Sequence, residues 1–136
     1  GMLGLGMGLE NTGLARILAE QAASWFHELG PYAILAALYL LSAFLTELIS
    51  NNAVAALLTP IAIGIASQLG VDARPFVVAV MFASSASFVT PIGYQTNTYV
   101  YGAGGYKFAD FSRVGLPLAI ALWIMASYLI PRLWPF

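Results

Sequence analysis

Apolar residues run through this chain in long blocks, and charged residues only punctuate them. Four uncharged stretches stand out: Leu29–Thr46, Leu48–Val71, Pro75–Tyr106 and Val114–Pro131. None alternates apolar with polar positions as a barrel strand does, and their Leu- and Ala-rich content favours helices. Crossing a hydrocarbon core about 30 Å thick takes roughly 20 helical residues, and within lipid only helices or closed barrels satisfy their own backbone. The pattern predicts an all-α, integral membrane fold.

The two ends differ. Gly1–Leu9 is apolar but short, like the end of a span. From there on, Leu14, Ile17, Leu18, Ala22, Trp25 and Leu29 recur at helical spacing, while Arg16, Glu20, Ser24, His27 and Glu28 occupy much of the opposite face. This predicts an amphipathic helix in the membrane interface, anchored by Trp25 and stopped at Gly30-Pro31, or else the amphipathic end of a tilted span. His27, on the polar face, is expected to be solvated. Val114–Leu133 reads as one plain spanning helix, with Trp123, Tyr128 and Trp134 toward its outer part. Lys107, Asp110 and Arg113 read as a surface loop before it.

Composition narrows the class. The 136 residues are 60% hydrophobic and 8% charged, with a formal charge of −1 and no cysteine. An average soluble domain is about 25% charged. So few charges exclude an ordinary cytosolic domain and a disordered tail, and the missing basic face excludes a nucleic-acid binder. Without cysteine there are no disulfides and no thiolate metal site. The chain begins inside an apolar run and supplies one hairpin and two further spans, so it is expected to be part of a larger protein.

The middle of the chain carries the candidate chemistry. Pro31–Ile49 and Ala53–Leu69 flank a short polar tip, Ser50-Asn51-Asn52, and form a helical hairpin. The tip is either an exposed capping turn or a re-entrant tip inside the protein, since irregular backbone at membrane depth must be buried or line a cavity. Pro75–Tyr106 is 32 uncharged residues, well beyond one span if wholly helical. It must break, and Thr90-Pro91-Ile92-Gly93-Tyr94-Gln95-Thr96-Asn97 supplies the proline and glycine that break helices. The preceding Ser84-Ser85-Ala86-Ser87 permits close helix approach. Helices restarting after Asn52 and near Asn97 would aim their N-terminal N–H groups between the two breaks, which attracts anions, while exposed oxygens there suit a small cation. Paired discontinuous helices of this kind point to a secondary transporter site.

These residues also carry a resemblance. Thr46-Glu47, then Ser50-Asn51-Asn52 and AVAALLTP over 53–60, resembles the second Ser-Asn-Thr hairpin of the divalent anion:sodium symporter family. PIGYQTNTYVYGAGG over 91–105, followed by Arg113-Val114-Gly115, resembles that family's second unwound helix and the loop after it, and Gly13-Leu14-Ala15 with its amphipathic helix also fits. The likeness runs from about Gly4 to the C-terminus and covers the C-terminal half of the family's inverted-repeat fold. It implies sodium-coupled uptake of a divalent anion by an elevator-like movement of the domain carrying the hairpin. Na+ is the coupling ion so implied, and no organic cofactor is expected. Carried over, Ser50, Asn51, Asn52, Thr96 and Asn97 bind substrate, with Asn52 in place of the family's hydroxyl. Ser50, Asn51, Gly93 and Asn97 bind sodium. Apart from the resemblance, Glu47, Thr46 and Pro91 are expected to give structural support: Glu47, just before the tip, is placed to bond backbone donors of the hairpin, the alternative being direct sodium or proton binding. Tyr94, Gln95 and Thr96 replace the Thr and two prolines of the dicarboxylate-type segment, which points to a sulfate-like anion rather than a dicarboxylate.

The organisation so read is an end of a span with an interfacial helix over 1–30, a hairpin over 31–71, a broken transmembrane helix and loop over 73–113, and a C-terminal transmembrane helix over 114–134. Expected partners are a small inorganic or carboxylate anion, the lipid bilayer, the N-terminal half of the transporter and, when complete, a second copy in a homodimer. The cell membrane, inner or plasma, is the expected location. The charges flanking the spans do not set an orientation. Arsenite and citrate permeases of the wider superfamily are the lesser alternative for substrate. A membrane scaffold or assembly subunit, its polar breaks acting as helix-packing glue, is the alternative of a different class. An intramembrane enzyme is disfavoured, because a single His and no His–Glu cluster supply neither a base nor metal ligands.

Overall fold

The computed structural model describes the backbone of residues 1–26 and 28–136, and all their side chains except those of 2, 3, 6, 9, 10, 23 and 26. The expectation for His27 lies outside the described residues. Among the described residues every regular element is a helix: α1 (Met2–Asn11), α2 (Leu14–Phe26), α3 (Gly30–Thr46), α4 (Asn51–Leu69), α5 (Arg74–Ser84), α6 (Gln95–Gly104) and α7 (Phe108–Leu133). Two of them, α4 and α7, are long and apolar enough to cross a membrane.

The core is built where α3, α4 and α5 meet. Ile34, Leu35, Leu38, Tyr39, Ser42 and Thr46 recur at helical spacing and give α3 one buried face. That face packs on α5, whose Phe76, Ala79, Val80 and Ala83 are fully buried, and Val54, Leu58 and Ala62 of α4 complete the cluster. The outward faces are apolar too: Leu40, Leu41 and Phe44 on α3, and Leu116, Ile120 and Ile124 on α7, are exposed. An apolar surface of this extent belongs in lipid or against another part of a protein, not in water.

Several boundaries differ from the sequence reading, each for a local reason. The arm after the hairpin tip starts at Asn51 rather than Ala53, because Ser50 adopts an extended backbone and its hydroxyl accepts from Ala53 N–H at 3.2 Å. That is N-cap geometry, so Asn51 and Asn52 form the first turn of α4 and the connector is only Glu47–Ser50. The same helix ends at Gly70, whose left-handed φ of 67° supports the closing bonds from Gly70 and Val71 N–H to Ser67 and Ala66. The loop expected through Arg113 shortens to 105–107, since the Lys107 N–H donates to Asp110 Oδ2 at 2.8 Å and starts α7 at Phe108. Polar residues therefore occupy the first turns of the last helix rather than a loop.

At the N-terminal end, α2 lies against α4. Among its described side chains the buried ones are small, Ala15 and Ala19, while Leu14, Ile17, Leu18 and Trp25 are exposed. The helices approach so closely at Gly64 that a Cβ there would sit 2.9 Å from the Ala19 Cβ. Small residues let the backbones meet, as in membrane helix pairs generally, and leave the larger apolar side chains facing outward. Arg16 and Glu20 form an exposed pair one turn apart at 2.9 Å.

The long helix α7 closes the other side against α3 and α5. The indole of Trp123 donates to the Ala36 carbonyl at 3.0 Å, and Phe136 packs edge-on against Tyr32 with ring centroids 5.1 Å apart. Near its start, Gly115 lies against the Phe88 carbonyl, in space that any side chain would fill, and Ser112 donates to Val89 at 3.0 Å. These contacts press the irregular segment 85–94 between α7 and the hairpin.

Candidate functional site

The site grows out of two places where a helix stops and another begins. At the first, α3 ends in Thr46-Glu47 and α4 begins at Asn51. At the second, α5 ends at Ser84, the chain runs irregularly over 85–94, and α6 begins at Gln95. Pro91 is fully buried in that segment and, having no N–H, leaves no donor unpaired there.

Glu47 joins the two breaks. The residue is only 8% exposed. Oε1 accepts from Val89 N–H at 2.9 Å, and Oε2 accepts from Thr90 N–H at 3.1 Å and from the Thr90 hydroxyl at 2.7 Å. The backbone donors expected for Glu47 thus lie in the second break rather than in its own hairpin. The Thr90 hydroxyl in turn accepts from Gly93 N–H at 3.1 Å, which extends the chain of bonds to the next turn. Gly93 is a glycine for steric reasons: a Cβ there would collide with Ser87 Oγ and Glu47 Oε2.

Thr46, fully buried, makes the companion link. Its hydroxyl oxygen lies 2.6 Å from both the Ser84 carbonyl and Asn51 Oδ1. A threonine hydroxyl carries a single proton, so it cannot donate to both. The two oxygens therefore compete for that one proton, and Asn51 Oδ1 faces Thr46. Asn97 braces the second break from the other side: its NH2 group donates to the Ser87 carbonyl at 2.8 Å and the Thr90 carbonyl at 3.2 Å.

Between the breaks lies a cavity of about 500 Å³. Ser50, Asn51 and Asn52 line it on the hairpin side, and Gly93, Tyr94, Gln95 and Thr98 line it on the other, with Leu48, Ile49 and Ile92 as apolar wall. No lining side chain is charged. Helix geometry leaves the first N–H groups of α4 and α6 without intrahelical acceptors, with the positive end of each peptide dipole array beside them. The cavity therefore combines N–H donors with neutral side-chain oxygens. Among the described residues no group of three or more His, Cys, Asp or Glu could hold a metal, so any cation taken here would use hydroxyl, amide and carbonyl oxygens, which suits a hard ion.

The structure brings together Ser50, Asn51, Asn52 and Gly93 of the expected residues. Thr96 and Asn97 do not line this cavity; the Asn97 side chain is turned into the break and also borders an apolar hollow beside α7. Thr46 and Pro91 lie buried beneath the site. Sequence reasoning missed Ser87 and Thr98. Thr98 stands one turn after Gln95 on the same face and donates to the Pro91 carbonyl at 2.9 Å, so helical spacing from Gln95 could have found it. Ser87 was read only as a small residue; it is 4% exposed and donates to the Thr46 carbonyl at 3.4 Å, a partner that nothing local announces.

Comparison with known proteins adds an independent line. The family profile described as citrate transporter matches residues 1–136. An uncharacterized transporter of Synechocystis sp. is 45% identical over 96% of this chain and 21% of its own length. An uncharacterized transporter of Escherichia coli is 37% identical over the whole chain and 22% of its own length. Sodium/sulfate cotransporter 1 of Chlamydomonas reinhardtii is 38% identical over 93% of this chain and 14% of its own length. The chain thus spans about a fifth or less of the length of these curated relatives.

Proposed function

Since the chain belongs to the citrate transporter family, with relatives named as sodium/sulfate cotransporters, we propose that it forms part of the transport path of a sodium-coupled carrier for a divalent, sulfate-like anion. The observation that carries this reading is the cavity between two helix breaks, lined by Ser50, Asn51 and Asn52 on one side and by Gly93, Tyr94, Gln95 and Thr98 on the other, and free of charged side chains. The anion is held by the hydroxyl and amide donors of Ser50, Asn51, Asn52 and Gln95 and by the first N–H groups of α4 and α6, Thr96 contributing its backbone rather than its side chain. Neutral donors bind a dianion without the tight ion pair that a lysine or arginine would form, so the anion can leave again. Sodium takes the oxygens of Ser50 and Asn51 and a carbonyl of the Gly93 turn. Asn97 serves as a brace.

The bonds of Thr46 and Glu47 across the two breaks favour a re-entrant hairpin that moves with the broken helix as one body. This supports an elevator-type movement of the whole site over the opening of one wall against the other. The full-length protein, in a cell membrane, would supply the opposing half, and a second copy the dimer.

The test is uptake of labelled sulfate by the full-length transporter in proteoliposomes, with and without an inward sodium gradient, and with excess succinate as competitor. Sodium-dependent sulfate uptake that succinate leaves unchanged is expected, with uptake reduced at least tenfold by Asn51→Ala and by Gln95→Ala. Wild-type uptake in both variants would remove the site; no uptake of either anion would favour a scaffold.

A further inference from the structure

A second cavity, of about 310 Å³, lies between the second break and the start of α7. It shares no lining residue with the cavity between the two breaks. Three of its walls are aromatic, Phe88, Tyr106 and Phe111, and Val114 and Leu118 of α7 add to the apolar lining. The Tyr106 and Phe111 rings stand at 81° to each other with centroids 6.1 Å apart, so they meet as two sides of a box. Tyr101 packs on Phe111 at 72° and holds that ring in place. One carboxylate, Asp110, borders the same space. Its Oδ2 accepts from Lys107 N–H at 2.8 Å, and among the described residues it forms no ion pair, Arg16–Glu20 being the pair present. Arg113, one turn further along α7, lines a neighbouring hollow and not this cavity. The other polar lining residue, Asn97, already donates its NH2 group to the second break.

The faces of aromatic rings attract cations through the ring quadrupole, most strongly where water is excluded, and quaternary ammonium groups are the ligands that such cages take. Their methyl groups suit apolar walls, and their charge calls for no hydrogen-bond partner. A hard metal ion, by contrast, would need several oxygens. We propose that Phe88, Tyr106, Phe111 and Asp110 form a cage for a quaternary ammonium group. The rings supply the walls and Asp110 the countercharge. Asp110 and Arg113 lie in the first two turns of α7, a helix long and apolar enough to cross a membrane, so the cage opens near the boundary of water and lipid. At that boundary the group arrives either as the choline headgroup of a lipid or as a small organic cation from water, and the chemistry of recognition is the same.

The test uses the full-length protein in a maltoside detergent, which carries no ammonium group. Choline and its neutral carbon isostere, dimethylbutanol, are titrated in turn by calorimetry. Choline is expected to bind about tenfold tighter or more, since a cation–π contact is worth roughly two- to thirtyfold in affinity and the cage offers more than one. Asp110→Asn keeps an acceptor for the Lys107 N–H and removes the charge. It should weaken choline about three- to thirtyfold and leave dimethylbutanol within about twofold. Phe111→Leu keeps an apolar side chain, removes a ring, and should lower choline affinity over the same range. Tyr106→Leu, at a half-exposed ring, gives the same reading where Phe111→Leu does not fold. Equal affinity for the two ligands, absence of choline binding, or unchanged choline affinity in Asp110→Asn overturns the proposal. Titration in nanodiscs then separates the sources. Choline binding lost in phosphatidylcholine discs and kept in neutral galactolipid discs makes the lipid headgroup the occupant. Binding kept in both makes it a soluble cation, and loss in both overturns the cage.

Discussion

Removing the Asn97 side chain tests whether that residue binds the transported anion or holds the wall behind it. In Asn97→Ala the Ser87 and Thr90 carbonyls each lose a donor, at 2.8 and 3.2 Å respectively. An intramolecular hydrogen bond contributes about 0.5–1.5 kcal/mol net, and Asn97 is half-buried, so water recovers part of the loss; the two bonds together are worth about 1–2 kcal/mol. The lost stability is local to the break and not spread over the fold, because α5 and the hairpin keep their buried contacts. At 1.4 kcal/mol per tenfold, backbone amides over 85–94 should exchange with deuterium about 5- to 30-fold faster, with α4 and α7 unchanged. Sulfate affinity should fall with that loosening and should be partly restored by Asn97→Asp only if the residue contacts the cation rather than the two carbonyls, which repel a carboxylate. Exchange that stays at the wild-type rate over 85–94 while sulfate binding is lost would refute the bracing role and make Asn97 a direct ligand.

Two further substitutions probe the frame around the site. Gly115→Ala places a methyl group on the Phe88 carbonyl, and should cost about 1–3 kcal/mol as overpacking does; a fall in melting temperature together with loss of sulfate binding is expected, because the same contact positions the break. Trp123→Phe removes the indole bond to Ala36 and should lower stability by about 0.5–1.5 kcal/mol, visible as a lower melting temperature with sodium dependence intact.

Class, helical content and the existence of both breaks were legible from residue order alone, but the second break runs over 85–94 rather than 90–97, with α5 already ended at Ser84 and α6 restarting at Gln95. Long uncharged runs can exist only where the surroundings are apolar, and Pro91, Gly93 and the Ser50 cap act on backbone within a turn or two of themselves. Such local effects do not wait for the rest of the chain. The family likeness rested on the same short motifs, which is why it could be stated before any geometry.

Tertiary packing decided which polar side chain does what. Asn51 and Asn97 look alike in the sequence, each an amide at a helix start, yet one lines the cavity and the other is turned into the break. Glu47 was expected to serve its own hairpin, and its partners lie 42 and 43 residues further along. On α2 the close approach at Gly64 puts Ala15 and Ala19, not the larger apolar residues, against α4, and leaves Leu14, Ile17, Leu18 and Trp25 exposed. Local sequence determines where a backbone must break, because breaking is a property of a few adjacent bonds. Only the packing of the hairpin against the second break determines which groups meet, because a buried donor takes whatever acceptor the folded chain brings within 3 Å of it.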